Sequence, residues 1–236
     1  MSIAENVSRI RQEINRAAIA AGRDPGEIRL CAATKMNSAD AVRQAIAAGV
    51  DCYGENRVQE LTEKLSQDAY RGAPVHFIGH LQTNKVRQVV GKVDLIQSVD
   101  SLRLLRAINA EAAKQGIVQS VLLEVNIGQE ESKSGFLAEE IPDLPEKCGE
   151  FSNICIKGLM AIPPISHNSG ENLKFFQKMF QLTVDIKKKI DDNVKVDCLS
   201  MGMSGDFPVA IACGSTMIRV GTAIFGARNY AKDSSQ

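Results

Sequence analysis

The sequence predicts a single-domain (β/α)8 barrel with an extra helix at its N-terminal end. Three observations carry this. Eight short β-rich runs alternate with amphipathic helical stretches. The length of 236 residues comes close to the roughly 250 typical of such barrels. No repeat, linker or low-complexity segment interrupts the pattern. An open doubly wound sheet is the competing architecture, because βα alternation alone does not prove closure; the strand count favours the barrel. The expected bounds are 1–230 for the barrel and 231–236, "AKDSSQ", for a disordered tail.

The opening segment, "MSIAENVSRIRQEINRAAIAAG", is amphipathic and is expected to form a helix that ends at Gly22. It carries Glu5 and Glu13 and no continuous apolar core, so it reads as neither a signal nor a transit peptide. The strand runs follow in order: "IRLCAAT" at 28–34, "DCYGE" at 51–55, "VHFIGH" at 75–80, "LIQSVD" at 95–100 and "SVLLEVNI" at 120–127. Then come "ICIKGLMAI" at 154–162, "KVDCLSMG" at 195–202 and "TMIRVG" at 216–221. Between them lie helical patterns at 38–49, 101–116 and 171–190, the first two ended by a glycine suited to a left-handed cap.

Composition narrows the function classes. Lys plus Arg equals Asp plus Glu at 28 each, so no net field draws the chain to nucleic acid or an anionic membrane. No apolar run is long enough to span a bilayer. Six cysteines, at 31, 52, 148, 155, 198 and 213, contain no CxxC pair and sit mostly in apolar runs, which points to buried thiols in a reducing, cytoplasmic compartment. His76 and His80 lie four apart in a strand run, where that spacing shares one strand face rather than a helical metal-binding face. No zinc site is expected from them.

In a barrel of this kind, functional groups sit at the C-terminal ends of the strands, and phosphate sites recur after strands seven and eight. After strand seven come Ser200, Gly202, Ser204 and Gly205; after strand eight come Gly221 and Thr222. Small residues let backbone N–H groups approach phosphate oxygens, and hydroxyls add donors. Each loop alone also reads as an ordinary Gly/Ser turn. Arg219, near the end of strand eight, needs a ligand or a carboxylate partner. Lys35 falls at the end of strand one, where a desolvated lysine near another cation becomes a nucleophile toward aldehydes. A phosphate-bearing aldehyde, pyridoxal phosphate (PLP), would fill both halves of such a pocket. Asn56 and His80 end other strands; Asn56 alternatively caps the next helix and His80 alternatively serves structure. Lys85 and Lys133 read as solvated lysines, Lys133 alternatively as a second amine at the pocket rim used in transfer.

These motifs together resemble the pyridoxal phosphate homeostasis protein family, also called the proline synthase co-transcribed family. The matching segments include "ATKMNSADAVRQAIAAG", "YGENRVQEL", "HFIGHLQTNKV", "EESKSGF", "GLMAIPP", "LSMGMSGDF" and "GSTMIRVGTAIFGAR", in order along most of the chain. The resemblance implies a barrel similar to the N-terminal domain of alanine racemase (fold type III), with PLP held on a lysine as a Schiff base. Carried onto matching positions, Lys35 is that lysine, Ser200, Gly221 and Thr222 are phosphate ligands with Ser204 beside them, and Arg219 partners the pyridine nitrogen. Asn56 and His80 are near-cofactor residues. The chain departs from the family at Thr34, Met36 and Gly205.

An arginine at the pyridine nitrogen disfavours its protonation and makes the ring a weaker electron sink. A racemase of the resembling fold takes a second acid–base residue from another domain of a partner subunit. No such domain is expected here, and the tyrosines read as structural: Tyr53, which opens "YGENRVQEL", as strand packing, Tyr70 as a helix or loop residue and Tyr230 as a tail anchor. The expected function is a monomeric PLP-binding protein that buffers or delivers the cofactor, with apo PLP-dependent enzymes as recipients, and so acts in vitamin B6 homeostasis and amino-acid and keto-acid balance. The alternatives are a weak amino-acid racemase or decarboxylase with Lys35 as base, and a PLP-dependent regulatory interaction protein.

Overall fold

The computed structural model describes residues 1–164, 169–188 and 194–226. Eight parallel strands close a barrel in chain order: β1 (Arg29–Ala33), β2 (Cys52–Glu55), β3 (Val75–Phe77), β4 (Leu95–Val99), β5 (Gln119–Val125), β6 (Ile154–Ala161), β7 (Val194–Ser200) and β8 (Met217–Val220). Closure is direct. β1 pairs with β8 through Arg29↔Met217, Leu30↔Ile218, Cys31↔Arg219 and Ala32↔Val220, which excludes the open sheet.

The helices are α1 (Ile3–Ala20), α2 (Ala39–Ala47), α3 (Val58–Ser66), α4 (Leu102–Gln115), α5 (Leu144–Cys148), α6 (Leu173–Lys187), α7 (Phe207–Ala212) and α8 (Thr222–Phe225). The third crossover is a 3-10 helix, Thr83–Gln88, which carries Lys85. Local chemistry sets the helix starts. Ser2 and Glu5 form a reciprocal capping box on α1, and Ser38 and Ser101 cap α2 and α4. α4 stops at Gly116, whose left-handed φ of 64° costs a residue without Cβ little.

Both faces of each strand are covered, one by helices and one by the barrel interior, so the strands read as apolar runs rather than alternations. The outer layer buries residues such as Leu30, Tyr53, Ile96 and Leu104 against the helices, each full-sized aliphatic contributing about 1.5–3 kcal/mol. A smaller inner cluster of Cys31, Cys52, Leu95, Leu122, Met160 and Met217 fills the barrel. The extra helix α1 buries Val7, Ile10, Ile14 and Ala18 at helical spacing. Its Asn6 side chain donates to the Ile224 carbonyl at 2.9 Å, which ties the first helix to the last.

Every strand lies within or one residue beyond the run expected for it. β3 is the main departure: it stops at Phe77, so His80 lies in the following loop and shares no strand face with His76. The proposed tail at 231–236, Tyr230 and the last residues of the 171–190 helical pattern lie outside the described residues.

Gly158 in β6 has φ of 144°, and a Cβ there would stand 1.8 Å from the Cys198 carbonyl oxygen of β7. The same position carries a shift in β6–β7 register. Backbone conformation and space both demand glycine. Gly158→Ala is expected to destabilise the fold by about 3 kcal/mol or more, which lowers the melting temperature by roughly 6–12 °C; thermal unfolding followed by circular dichroism measures it.

Candidate functional site

Lys35 follows β1 on a tight turn. The Asn37 amide donates to the Thr34 carbonyl at 3.1 Å, which leaves Lys35 and Met36 at the corners, and Met36 takes a left-handed φ of 62°. The turn is tied down from outside: the Met36 amide donates to Glu60 Oε2 at 2.7 Å, and Asn37 Nδ2 donates to the Lys35 carbonyl at 3.0 Å. Lys35 itself is half-buried.

Beneath the turn lies a buried polar network. Lys64 Nζ, on α3, donates to the Thr34 carbonyl at 2.8 Å and to Glu55 Oε1, at the end of β2, at 2.7 Å. The same oxygen accepts from Tyr70 at 2.8 Å and from the Thr34 hydroxyl. Glu55 and Thr34 are fully buried, and Lys64 and Tyr70 nearly so. Burial and the Glu55 charge push the Tyr70 phenol well above its ordinary value. The network holds the backbone one residue before Lys35. Glu55 and Lys64 were missed in the sequence, although Lys64 occupies a buried position on the stripe of Val58 and Leu61, where a lysine demands a partner.

At the seam of β7, β8 and β1, the two loops suited to phosphate come together. The Arg219 amide donates to the Gly202 carbonyl at 3.0 Å, which joins the β7 loop to β8. The Thr222 hydroxyl donates to Ser204 Oγ at 3.3 Å. Gly221 immediately precedes α8 and lies against Ala33 of β1, with 3.4 Å between a built Cβ and the Ala33 carbonyl oxygen. The β1–β8 register therefore sets the Lys35 turn beside these loops.

The Arg219 side chain is buried inside the mouth. Nη1 donates to Ser200 Oγ at 2.5 Å, and Nη2 donates to the Ala161 carbonyl at 2.9 Å. Ser200 in turn donates to Gln97 Oε1 at 2.7 Å. Among the described residues no carboxylate lies within ion-pair distance of this guanidinium, so the expected competitor, a structural ion pair, is absent there. Burial lowers its pKa, with nearby Cys31 and Glu124 opposing.

The remaining predicted residues sit on the rim. Asn56 does not cap α3, whose N-cap is Arg57, and its Oδ1 is buried without a hydrogen-bond partner. Gly79 packs so tightly on it that a Cβ would stand 2.1 Å from the Asn56 carbonyl oxygen. His80 is exposed and pairs through Nδ1 with Asp100 at 3.1 Å. Ser134 lies 3.4 Å from the same nitrogen, so the "ESKSGF" loop folds onto the rim there. Lys133 in that loop pairs with Glu130, and Asn126 Nδ2 holds the loop through the Glu130 carbonyl at 2.9 Å.

Glu124, near the end of β5, was not anticipated. Burial and the Asp100 charge push its carboxyl up to about 7, and Arg219 opposes them. The folded value stands above the ordinary 4.5, so any stability tied to this group is complete below about 4.5 and is lost as pH rises through about 7. Glu124→Gln is expected to flatten the fall in stability across that window, checked by urea unfolding of both proteins at a series of pH values.

Residues 2–229 match the family described as alanine racemase, N-terminal domain. The pyridoxal phosphate homeostasis protein of Haemophilus influenzae is 39% identical over 238 residues, covering 100% of both chains. That of Aquifex aeolicus is 41% identical over 230 residues, covering 98% of this chain and 100% of its own. The chain belongs to the pyridoxal phosphate homeostasis protein family. The family resemblance seen in the motifs is thus confirmed over the whole length. Among solved structures, PipY of Synechococcus elongatus is similar at 31% identity, covering 95% of this chain and 100% of its own, with TM-scores of 0.84 without PLP and 0.81 with PLP bound. Alanine racemase of Clostridium difficile, at 15% identity, shares the fold with a TM-score of 0.70 over 96% of this chain and 58% of its own.

Proposed function

We propose that this member of the family binds PLP at the C-terminal mouth of the barrel and acts in the homeostasis of that cofactor by holding and delivering it. The observation that carries the reading is Arg219: a buried guanidinium satisfied by one hydroxyl and one carbonyl, beside two loops whose hydroxyls meet. A guanidinium has five N–H donors, and leaving a buried cation with neutral partners alone is costly unless a ligand completes the set. The buried, unpartnered Asn56 Oδ1 points to the same missing occupant. Relatives bearing the name homeostasis protein, and PipY with PLP bound, support the choice of ligand.

When bound, PLP supplies an aldehyde that condenses reversibly with a primary amine. Lys35 presents that amine from a turn fixed by the Glu55–Lys64 pair. Ser204, Gly221 and Thr222 would hold the phosphate, with Ser200 shared between Arg219 and this corner. Arg219 would partner the pyridine nitrogen, where its charge would disfavour protonation. Asn56 and His80, the latter braced by Asp100, would be the near-cofactor residues. No residue is assigned a catalytic role: a cation at the ring nitrogen would limit broad carbanion chemistry without excluding racemisation, and no second acid–base residue is assigned opposite Lys35, which favours a carrier over a weak racemase or decarboxylase. It acts in the cytoplasm as a monomer, and its recipients are apo forms of PLP-dependent enzymes. Among the described residues no helix is long and apolar enough to cross a membrane.

The test mixes loaded protein with an apo PLP-dependent enzyme and follows recovery of that enzyme's activity. Parallel samples with each amino acid are assayed for chirality and carbon dioxide release. Transfer without turnover is expected; robust turnover that disappears in Lys35→Ala would overturn the carrier reading.

A further inference from the structure

Below the mouth, the barrel interior gathers a second set of chemically capable side chains. Cys31 of β1, Cys52 of β2 and His76 of β3 bring two sulfurs and an imidazole nitrogen within 4.8 Å of one another. Their exposures are 0%, 2% and 4%, so all three are withdrawn from solvent. Register explains the meeting. Cys31 stands directly opposite Cys52, and Gly54, opposite His76, has no side chain: a Cβ there would lie 3.1 Å from Cys31 Sγ. Spacing within one segment could not show these donors together, because they come from three neighbouring strands.

Two opposed thiols suggest either a disulfide or a bridging ion. Neighbouring parallel strands stand about 4.8 Å apart, inside the roughly 4.4–6.8 Å between Cα atoms that a disulfide takes, so spacing alone permits either; the imidazole beside the two sulfurs is a third donor that only an ion would use. A tetrahedral ion with metal–sulfur bonds of about 2.3 Å separates its two sulfurs by roughly 3.8 Å and so bridges the strands without drawing them together. Donor softness selects a thiophilic cation, and two thiolates neutralise a divalent one, which matters where no water screens charge.

The imidazole is already oriented. His76 Nδ1 lies 2.9 Å from the buried Gln97 side chain, which is anchored by Ser200, so Nε2 is the nitrogen left for a ligand role. Such an outer partner fixes ring direction at metal sites. In the orientation described, Gln97 turns Nε2 to the ring and Oε1 to Ser200; a ligating His76 Nε2 needs the amide flipped, so that its oxygen accepts from Nδ1 and its Nε2 donates to Ser200 Oγ. His76, Cys198 and Met217 also line a cavity of about 690 Å³ that contains Arg29, at the beginning of β1 and so at the end of the barrel away from Lys35. That cavity supplies an entry path and a fourth position.

We propose that Cys31, Cys52 and His76 form a buried Zn²⁺ site with its fourth position toward the lower cavity, joined to the mouth above it through Gln97, Ser200 and Arg219. The test uses full-length protein kept reduced and stripped with a chelator. Zn²⁺ titration against a chromophoric competitor is expected to show one tight equivalent, and Co²⁺ substitution is expected to give intense tetrahedral bands with a thiolate-to-metal charge-transfer band. Cys31→Ala/Cys52→Ala should weaken Zn²⁺ binding about 100-fold or more, and Gln97→Ala about 10- to 100-fold, while Cys155→Ser/Cys213→Ser leaves it unchanged. Because the inner double variant could unfold, the Co²⁺ spectrum of the unmodified protein stands as an independent readout. The proposal is overturned by a Co²⁺ spectrum without thiolate charge transfer, by undiminished Zn²⁺ binding in a folded Cys31→Ala/Cys52→Ala variant, or by reduced protein that takes up no metal and merely forms a Cys31–Cys52 disulfide in air.

Discussion

Lys35→Ala is expected to abolish covalent retention of PLP. Borohydride reduction of the loaded protein, followed by digestion and mass spectrometry, should place the cofactor on the peptide containing residue 35 in the unmodified chain and on no peptide in the variant. The remaining contacts, to the phosphate loops and Arg219, are non-covalent, so affinity should fall by about 100-fold, equivalent to roughly 2.8 kcal/mol. Lys35→Arg should behave alike, because it keeps the cation and removes the amine that condenses. Label on Lys64 or Lys133 would sink the assignment. Lys64 is the sharper control: it is buried and committed to Glu55 and the Thr34 carbonyl.

The Glu55–Lys64 pair should give the largest change in stability. Lys64→Met leaves a fully buried carboxylate with only the Tyr70 and Thr34 hydroxyls as donors. Removing one partner of a buried pair costs about 3–5 kcal/mol. In a chain of this size that lowers the melting temperature by roughly 6–20 °C. Lys64→Met/Glu55→Leu should recover part of the loss, since no charge is then stranded. Equal destabilisation by the single and double variants would show that packing alone, rather than the pairing, carries the effect. The single variant should also loosen cofactor retention, because it frees the carbonyl of Thr34, the residue directly before Lys35.

The strands were legible because a barrel buries both faces of each one, and double burial writes a short apolar run bounded by turn residues. Strand ends were less so. β3 stops at Phe77 where Gly79 lets the chain press against Asn56, a contact made by backbone atoms of another segment. The third connection, a 3-10 helix, lies outside the three helical patterns read in the sequence. In the site, the rule that function gathers at strand ends led to Lys35, Asn56, Arg219 and the two small-residue loops. What it could not convey was pairing between elements. Lys64 looks like a solvated helix lysine until Glu55 is seen across from it, and Glu124 becomes unusual only through burial beside Asp100. Cys31 and Cys52 sit 21 positions apart and become neighbours through register alone.

The β1–β8 seam also governs when the mouth comes into being. Lys35 is made well before Arg219, Gly221 and Thr222, and they meet only after the eighth strand docks on the first. Contacts so distant along the chain form late and slowly. A growing polypeptide therefore carries Lys35 without the Gly221 and Thr222 corner, and on the proposed function aldehyde capture awaits the finished barrel.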